Sequence, residues 1–288
     1  MDTQALAAFV AVVDEHSFSG AAETLNLTQP AISKRIATLE QQLGAPVIDR
    51  SQRKLALTDT GERLIPFARR ILDELHNARL SLSAHDGEIR GRLTLIASHH
   101  IGLHHLPAWL RRLNRDYPDV SLSLQFMDSE SAFDHMRKRS AELAFVTLND
   151  AMEHSFEVHA RWDDPMAFVV GNDHPLTRLA APELSDLADY NALLPDPGTA
   201  TYRAISRLFM DADLTLRPEM PTNYLETIKM MTSVGLGWSV LPRSMLDASL
   251  TKLATPHPVS RVLGAVGLRG RQLSPGARTL LGIVDALR

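Results

Sequence analysis

The chain has 288 residues, no cysteine and a formal net charge of −4. That length exceeds one small domain and suits a compact unit joined to a larger ligand-binding one. The missing cysteine excludes thiol redox sensing and cysteine-ligated zinc. The acidic balance excludes a nucleic-acid binder that relies on overall positive charge, so any basic surface must be local. The N-terminus is acidic and amphipathic where a leader would be basic and apolar, and no apolar run is long enough to span a bilayer. A cytoplasmic location without a membrane partner is expected.

The stretch SFSGAAETLNLTQPAISKRIATLEQQLG, residues 17–44, reads as two short amphipathic helices joined at Asn26-Leu27-Thr28. Ala21, Ala22 and Leu25 before the turn, and Ile32, Ile36 and Leu39 after it, recur at helical spacing and bury one face each. Thr28 is placed to cap the second helix through its hydroxyl, and Pro30 lies in the first turn, where a missing N–H costs little. Thr28, Gln29, Pro30, Ser33, Lys34 and Arg35 then fall on the outer, N-terminal half of a recognition helix, where such side chains reach base edges and phosphates. Val47-Ile48-Asp49-Arg50 and Leu55-Ala56-Leu57 read as two short strands around a basic turn. A basic hairpin alone is ordinary solvated surface; beside a helix-turn-helix it reads as a wing, with Arg50, Arg53 and Lys54 suited to phosphate contacts. Asp2, Asp14 and Glu15 fall on the first helix, which can face away from phosphate.

From Thr58, a capping residue followed by Asp59 and Glu62, a long helix is predicted to about Ala84, with a kink at Pro66. Leu64, Ala68, Ile71, Leu75, Ala78 and Leu82 alternate steps of four and three, a coiled-coil seam that requires a partner helix, most simply from a second copy. After a Gly87–Gly91 linker, helices and strands alternate: helix 103–116, strand 120–126, helix 131–140 and strand 143–147. A second set follows near 166–170, 202–210, 225–234 and 238–241. The pattern predicts an α/β unit with a largely parallel sheet and two lobes. The candidate turns at strand ends are Ser98-His99-His100-Ile101, Asp128-Ser129, Thr147-Leu148, Gly198-Thr199-Ala200-Thr201 and Asn223-Tyr224, where helix N-termini favour a small anion.

The helix-turn-helix stretch, followed by VIDR, LTDTG and, near the C-terminus, VGLGWSVLP, closely resembles the pattern of LysR-type transcriptional regulators. Two departures are visible: His16 stands where such proteins often have glycine, and Val47-Ile48 replaces Leu-Phe. The resemblance implies an all-α winged helix-turn-helix with a linker helix, then an α/β two-lobed, periplasmic-binding-protein-like effector domain. The implied boundaries are 1–58 for the DNA-binding domain, 59–90 for the linker and dimerisation helix, and 91–288 for the effector domain. Within the last, lobe I is about 91–163 and 265–288, and lobe II about 164–264, with a closing strand near 263–268. It further implies a homodimer, pairing again into a homotetramer, on double-stranded promoter DNA, with RNA polymerase as a possible further partner and a small, anionic metabolite as effector. By similarity, Ser98, His99, Ser129, Thr147, Thr199 and Thr201 are the effector contacts, joined by His100 and Asn223 from the same turns; each Ser or Thr is equally suited to an ordinary helix cap.

His99, His100, His104 and His105 raise a metal hypothesis, but two histidines four apart do not complete a tetrahedral site, and no metal or cofactor is expected. An enzyme is the competing class. No phosphate loop, nucleophile elbow or H-E-x-x-H motif is present, and Gly235-Leu236-Gly237 lacks the third glycine of a dinucleotide turn. A plain solute-binding protein is disfavoured by the attached helix-turn-helix.

Overall fold

The computed structural model describes residues 2–49, 55–83, 89–149 and 154–287, with the side chains of 73, 76, 77 and 79–83 left outside that description. The chain forms two compact units, residues 1–88 and 89–288.

The first unit opens with α1 (Thr3–Asp14), α2 (Phe18–Thr24) and α3 (Gln29–Leu43). Asp2 and Ser17 cap α1 and α2 through their side chains, and Gly44 ends α3 in the left-handed conformation. Thr28 departs from expectation: its hydroxyl makes no capping hydrogen bond. Pro30 has no N–H to offer, and the next amide, Ala31, donates to the Thr28 carbonyl oxygen at 2.9 Å. Leu6, Phe9, Ala21, Ile32, Ile36 and Leu39 are each at most 1% exposed and form the core where the three helices meet. The small Ala21 lets α2 approach closely. A two-stranded ribbon, β1 (Ile48–Asp49) and β2 (Ala56–Leu57), pairs antiparallel and leads into α4 (Asp59–Ser83). Glu40 of α3 accepts from Val47 N–H at 3.0 Å and fixes the root of the ribbon.

The LTDTG segment has a physical explanation here. Thr58 Oγ1 donates to the Pro46 carbonyl oxygen at 2.6 Å and accepts from Gly61 N–H at 3.1 Å, capping α4 while binding it to the ribbon. A Cβ at Gly61 would overlap the Val47 carbonyl oxygen. Helix α4 runs through Pro66 as one element. Its seam divides in use: Ala68 is fully buried and Leu64 packs beside it in the core of this unit, whereas Ile71, Leu75 and Ala78 are exposed. Leu82 lies outside the described side chains.

In the second unit β3 (Gly91–Ala97) leads through α5 (His99–His104) and α6 (Leu106–Asp116) to β4 (Val120–Phe126), then α7 (Ser129–Arg137) and β5 (Leu143–Leu148). Strand β3 is parallel to both β4 and β5. Next, β6 (Phe156–Gly171) crosses into the second lobe, which holds α8 (Leu184–Ala188), β7 (Ala192–Leu193), α9 (Ala200–Asp211), β8 (Pro218–Glu219), α10 (Leu225–Ser233), β9 (Ser239–Pro242) and β10 (Leu250–Lys252). Strand β11 (Ser260–Leu268) returns to the first lobe, and α11 (Pro275–Leu287) packs on α6. The expected largely parallel sheet is corrected: β11 pairs antiparallel with β5 and β6, and β9 and β10 pair antiparallel with β6. The reason is β6 itself, a single 16-residue strand serving both lobes, so the returning strand must run against it.

The VGLGWSVLP segment is a structural lock. Trp238 is fully buried, stacks on Phe209 with ring centroids 5.6 Å apart and donates from Nε1 to the Leu187 carbonyl oxygen at 2.9 Å. Ser239 donates to the Leu193 carbonyl oxygen at 2.7 Å. A Cβ at Gly237 would overlap the Asn191 carbonyl oxygen.

Replacing Gly61 with alanine is expected to destabilise the first unit by about 1 to 3 kcal/mol, the usual cost of overpacking. Equilibrium denaturation followed by far-UV circular dichroism on residues 1–88, against wild type, checks this; an unchanged midpoint would show that the ribbon and α4 can part freely.

Candidate functional site

Two surfaces carry the polar chemistry. On the first unit, Thr28, Gln29, Pro30 and Lys34 are exposed at the start of α3, and Ser33 is half-buried beside them. Gln29 and Ser33, and Pro30 and Lys34, are each four residues apart and so share a face. Arg35 is turned elsewhere: its Nη2 donates to Gln4 Oε1 at 2.9 Å, tying α3 to α1. Asp14 pairs with Arg69 of α4, and Glu15 accepts from Thr24 at 2.9 Å, so these acids are engaged within the unit. Arg50 and Arg53 lie outside the described residues.

On the second unit a cleft opens between the lobes. From the first lobe it is lined by Ser98, His99, His100, Ser129 and Thr147, and from the second by Thr199, Thr201 and Asn223. All eight sequence-derived positions thus meet in one place, because the turns after β3, β4 and β5 in one lobe face the N-terminal ends of α9 and α10 in the other. Asp128, from the predicted Asp128-Ser129 turn, also lines it, as do two charged residues not singled out from sequence, Glu130 and Arg261. Arg261 lies in β11 and its partner Asp164 in β6, at a chain separation of 97, so no motif could have paired them. The only sequence signal was an arginine opening an otherwise apolar strand. The cavity measures about 50 Å³; by the same measure one water needs about 10 to 15 Å³, so the arrangement takes a compact ligand.

The polar groups divide into committed and uncommitted. Asn223 is engaged by Asp196, accepting from its N–H at 3.0 Å and donating to its carboxylate at 2.8 Å. Thr199 caps α9 and donates to the Asp196 carbonyl oxygen. Ser129 Oγ accepts from Thr147 N–H at 2.9 Å. These three build the walls. By contrast both ring nitrogens of His100 and Nη2 of Arg261 are buried without a hydrogen-bond partner, although Arg261 Nε donates to Asp164 at 2.7 Å. His100 Nε2 lies 3.7 Å from the Asp164 carboxylate, beyond hydrogen-bond distance; a buried polar group left unpaired costs about 1 to 3 kcal/mol, so a polar ligand atom reaching these nitrogens would be stabilised.

Burial, then the neighbouring Arg261, pushes the proton affinity of His100 down to about 2, so the ring is neutral at physiological pH. Across the lobes His104 Nε2 lies 2.8 Å from Glu226 Oε1, and the His99 and Tyr224 rings are 4.5 Å apart. Among the described residues no group of three or more His, Asp or Glu side chains converges as metal ligands, and no helix is long and apolar enough to cross a membrane.

The family models for a bacterial regulatory helix-turn-helix protein of the lysR family and for the LysR substrate binding domain match residues 3–62 and 86–288. The chain belongs to the LysR family. The RuBisCO operon transcriptional regulator of Acidithiobacillus ferrooxidans is 30% identical over 95% of this chain and 90% of its own length. Among solved structures, full-length OxyR of Pseudomonas aeruginosa matches with a TM-score of 0.77 at 23% identity, covering 100% of this chain and 98% of that one. The regulatory domain of Synechocystis CcmR in complex with 2-PG matches with a TM-score of 0.62 at 24% identity, covering 69% of this chain and 97% of that one. These likenesses establish the LysR architecture of a helix-turn-helix unit followed by a two-lobed substrate-binding domain.

The neutral His100 gives a pH signature. The unfolded histidine takes up a proton near its ordinary value of about 6.5, whereas the folded one refuses it until about 2. Its contribution to stability is therefore intact above about 6.5 and lost as pH falls below it, by up to about 1.4 kcal/mol per pH unit. All three tryptophans lie in the second unit, so urea unfolding followed by their fluorescence reports it alone. His100→Gln is expected to shrink the stability difference between about pH 7 and pH 5.5 relative to wild type; an equal difference in both would exclude His100 as its source.

Proposed function

We propose that this LysR-family protein is a cytoplasmic, ligand-responsive regulator that reads double-stranded promoter DNA with the exposed start of α3. A small ligand bearing an acceptor-rich, carboxylate-like end, held between the lobes of residues 89–288, sets its affinity or geometry on that DNA. The observation that carries the reading is the cleft: eight residues from five separate turns converge on it, together with buried nitrogens of His100 and Arg261 that make no hydrogen bond. The role is assigned to binding because the cleft's His100 is held neutral by burial and its Arg261 is paired with Asp164. A ligand acts on such a protein only through different affinity for two arrangements, and the two lobes provide them.

Gln29 and Ser33 are assigned to base edges and Lys34 to phosphate. Binding measured by fluorescence anisotropy on the chain's own promoter is expected to lose about 1 to 3 kcal/mol of discrimination over scrambled DNA in Gln29→Ala or Ser33→Ala. Lys34→Ala is expected to weaken all sequences alike and reduce the salt slope by about 1. Unchanged discrimination in the first pair would remove the base-reading assignment.

Two copies are proposed to pair through the exposed stripe of α4, where Phe67 (62% exposed), Ile71 and Leu75 form an apolar surface flanked by Arg70 and Glu74. A dimer supplies the two recognition helices that a palindromic site needs, and a further pairing into a tetramer, with contact to RNA polymerase, completes the family's mode of action. Leu75→Asp places a charge in that stripe and is expected to raise the dimer dissociation constant at least about tenfold by sedimentation equilibrium. A monomer–dimer balance identical to wild type would move the interface elsewhere.

A further inference from the structure

We infer that the two lobes are clasped across the cleft by the chain's own side chains, His104 on Glu226, His99 on Tyr224 and Glu130 on the start of α9, and that parting this clasp gates exchange of whatever the cleft holds.

The backbone joins the lobes as a hinge does. It crosses between them twice, on neighbouring segments: in β6 at Pro165-Met166, where pairing passes from β11 to β9, and on the way into β11, where the Val259 carbonyl oxygen accepts from Met166 N–H at 3.0 Å. Pro165 has no N–H to add to the ladder at that point. Two lobes joined by adjacent crossings can swing about them, so the angle they adopt is selected by side chains elsewhere.

Helix α5 supplies that selection from the first lobe. In six residues it buries His100 and Ile101 and carries His99 and His104 at its two ends. Gly102, between them, lies against Phe126 of β4, whose ring a Cβ would overlap, and His99 stacks on the same ring at 6.2 Å. This packing fixes how α5 meets α10. There His104 Nε2 lies 2.8 Å from Glu226 Oε1, and the His99 ring lies 4.5 Å from that of Tyr224. Tyr224 caps α10 and Glu226 stands in its first turn, so both second-lobe partners sit at one helix end. The other helix that opens on the cleft is held in the same way. Glu130, in the first turn of α7, lines the cleft with Ala200, the first residue of α9, and its carboxylate accepts from the Ala200 N–H with Arg203 of that helix nearby. A carboxylate at a helix N-terminus is favourably placed; here it is supplied by the opposite lobe.

Each contact is modest. The His104 and Glu226 side chains are 29% and 47% exposed, and exposed pairs of this kind shift an equilibrium about two- to fivefold. Separate contacts multiply, so the clasp as a whole resists an opening that any one of them would permit. Clasped and parted lobes are then the two arrangements between which a ligand selects; that consequence rests on the effector reading above, whereas the clasp itself does not.

The chain has no cysteine, so a single introduced one reports opening. Thr201→Cys, at a cleft position 5% exposed on the second lobe, and Thr147→Cys, at one 8% exposed on the first, are each labelled with a maleimide in the full chain under native conditions. The labelling rate follows the fraction of time the lobes are parted. Ser239→Cys, fully buried inside the second lobe, reports unfolding instead. His104→Ala and Glu226→Ala are each expected to raise the rate at either cleft position about two- to fivefold. Combined, they should raise it no further than the larger single effect, because both remove one contact, whereas adding Glu130→Ala should multiply it. The rate in Ser239→Cys should stay unchanged throughout. Cleft rates unaltered by His104→Ala and Glu226→Ala overturn the clasp. A rise matched in Ser239→Cys overturns it as well, because the variants would then have lost stability without parting the lobes. Either failure leaves the effector reading standing, since ligand binding tests that separately.

Discussion

Strand β6 belongs to both lobes, and the second unit depends on that shared membership. Its first half pairs with β11 and its second half with β9 and β10, so one hydrogen-bonded ribbon holds the lobes together while leaving a gap beside it. The crossing is marked by Asp164 and Arg261, a buried ion pair on adjacent strands. Burying an ion pair is expensive unless the remaining protons are satisfied. Here one guanidinium nitrogen is left over, and it lies at the cleft. The interaction that fixes the strand crossing therefore also leaves a guanidinium nitrogen without a hydrogen bond beside the cleft.

The cleft's polar residues are not equivalent, although they carry similar side chains. Thr199 and Asn223 spend their hydrogen bonds on the Asp196 turn and so position the mouth of the second lobe. Ser129 spends an acceptor on Thr147 and joins α7 to the end of β5. What remains for a ligand are the hydroxyls of Ser98, Thr147 and Thr201 and the buried nitrogens. A contact map drawn from residue type alone merges these roles; the hydrogen-bond inventory separates them.

In the first unit His16 adopts a φ of +48°. The backbone asks for the left-handed conformation that glycine takes without strain, and this chain accepts a side chain there at a cost of order 1 kcal/mol. Asn26, with φ of +52°, meets the same demand in the helix-turn-helix turn with a residue that tolerates it. His16 lies between α1 and α2, and Val47 and Ile48 are buried at the ribbon, so neither departure alters the exposed residues at the start of α3.

Local pattern placed the helices of the helix-turn-helix and most of the longer elements of the second unit, because helical and strand periodicities are written in consecutive residues: Ile32, Ile36 and Leu39 on α3, the alternating units of the second domain, and the turns that carry Ser98, Ser129, Thr147 and Thr201; α8, α11, β7, β8, β10 and the first half of β6 were not read from it. The family motifs were legible for the same reason, and their structural meaning is local: Thr58 and Gly61 seat α4 on the ribbon, and Trp238 locks the second lobe. What sequence could not decide were relations between distant segments. The direction of β11, the use of Leu64 and Ala68 for the unit's own core, the turning of Arg35 to Gln4, and above all the meeting of Arg261 with Asp164 and His100 depend on chain crossings that leave no mark in residue spacing. The sequence by itself determined which side chains stand at the ends of strands; only the tertiary structure decided which of them are left with hydrogen bonds to make, because that depends on what the opposite lobe has already satisfied.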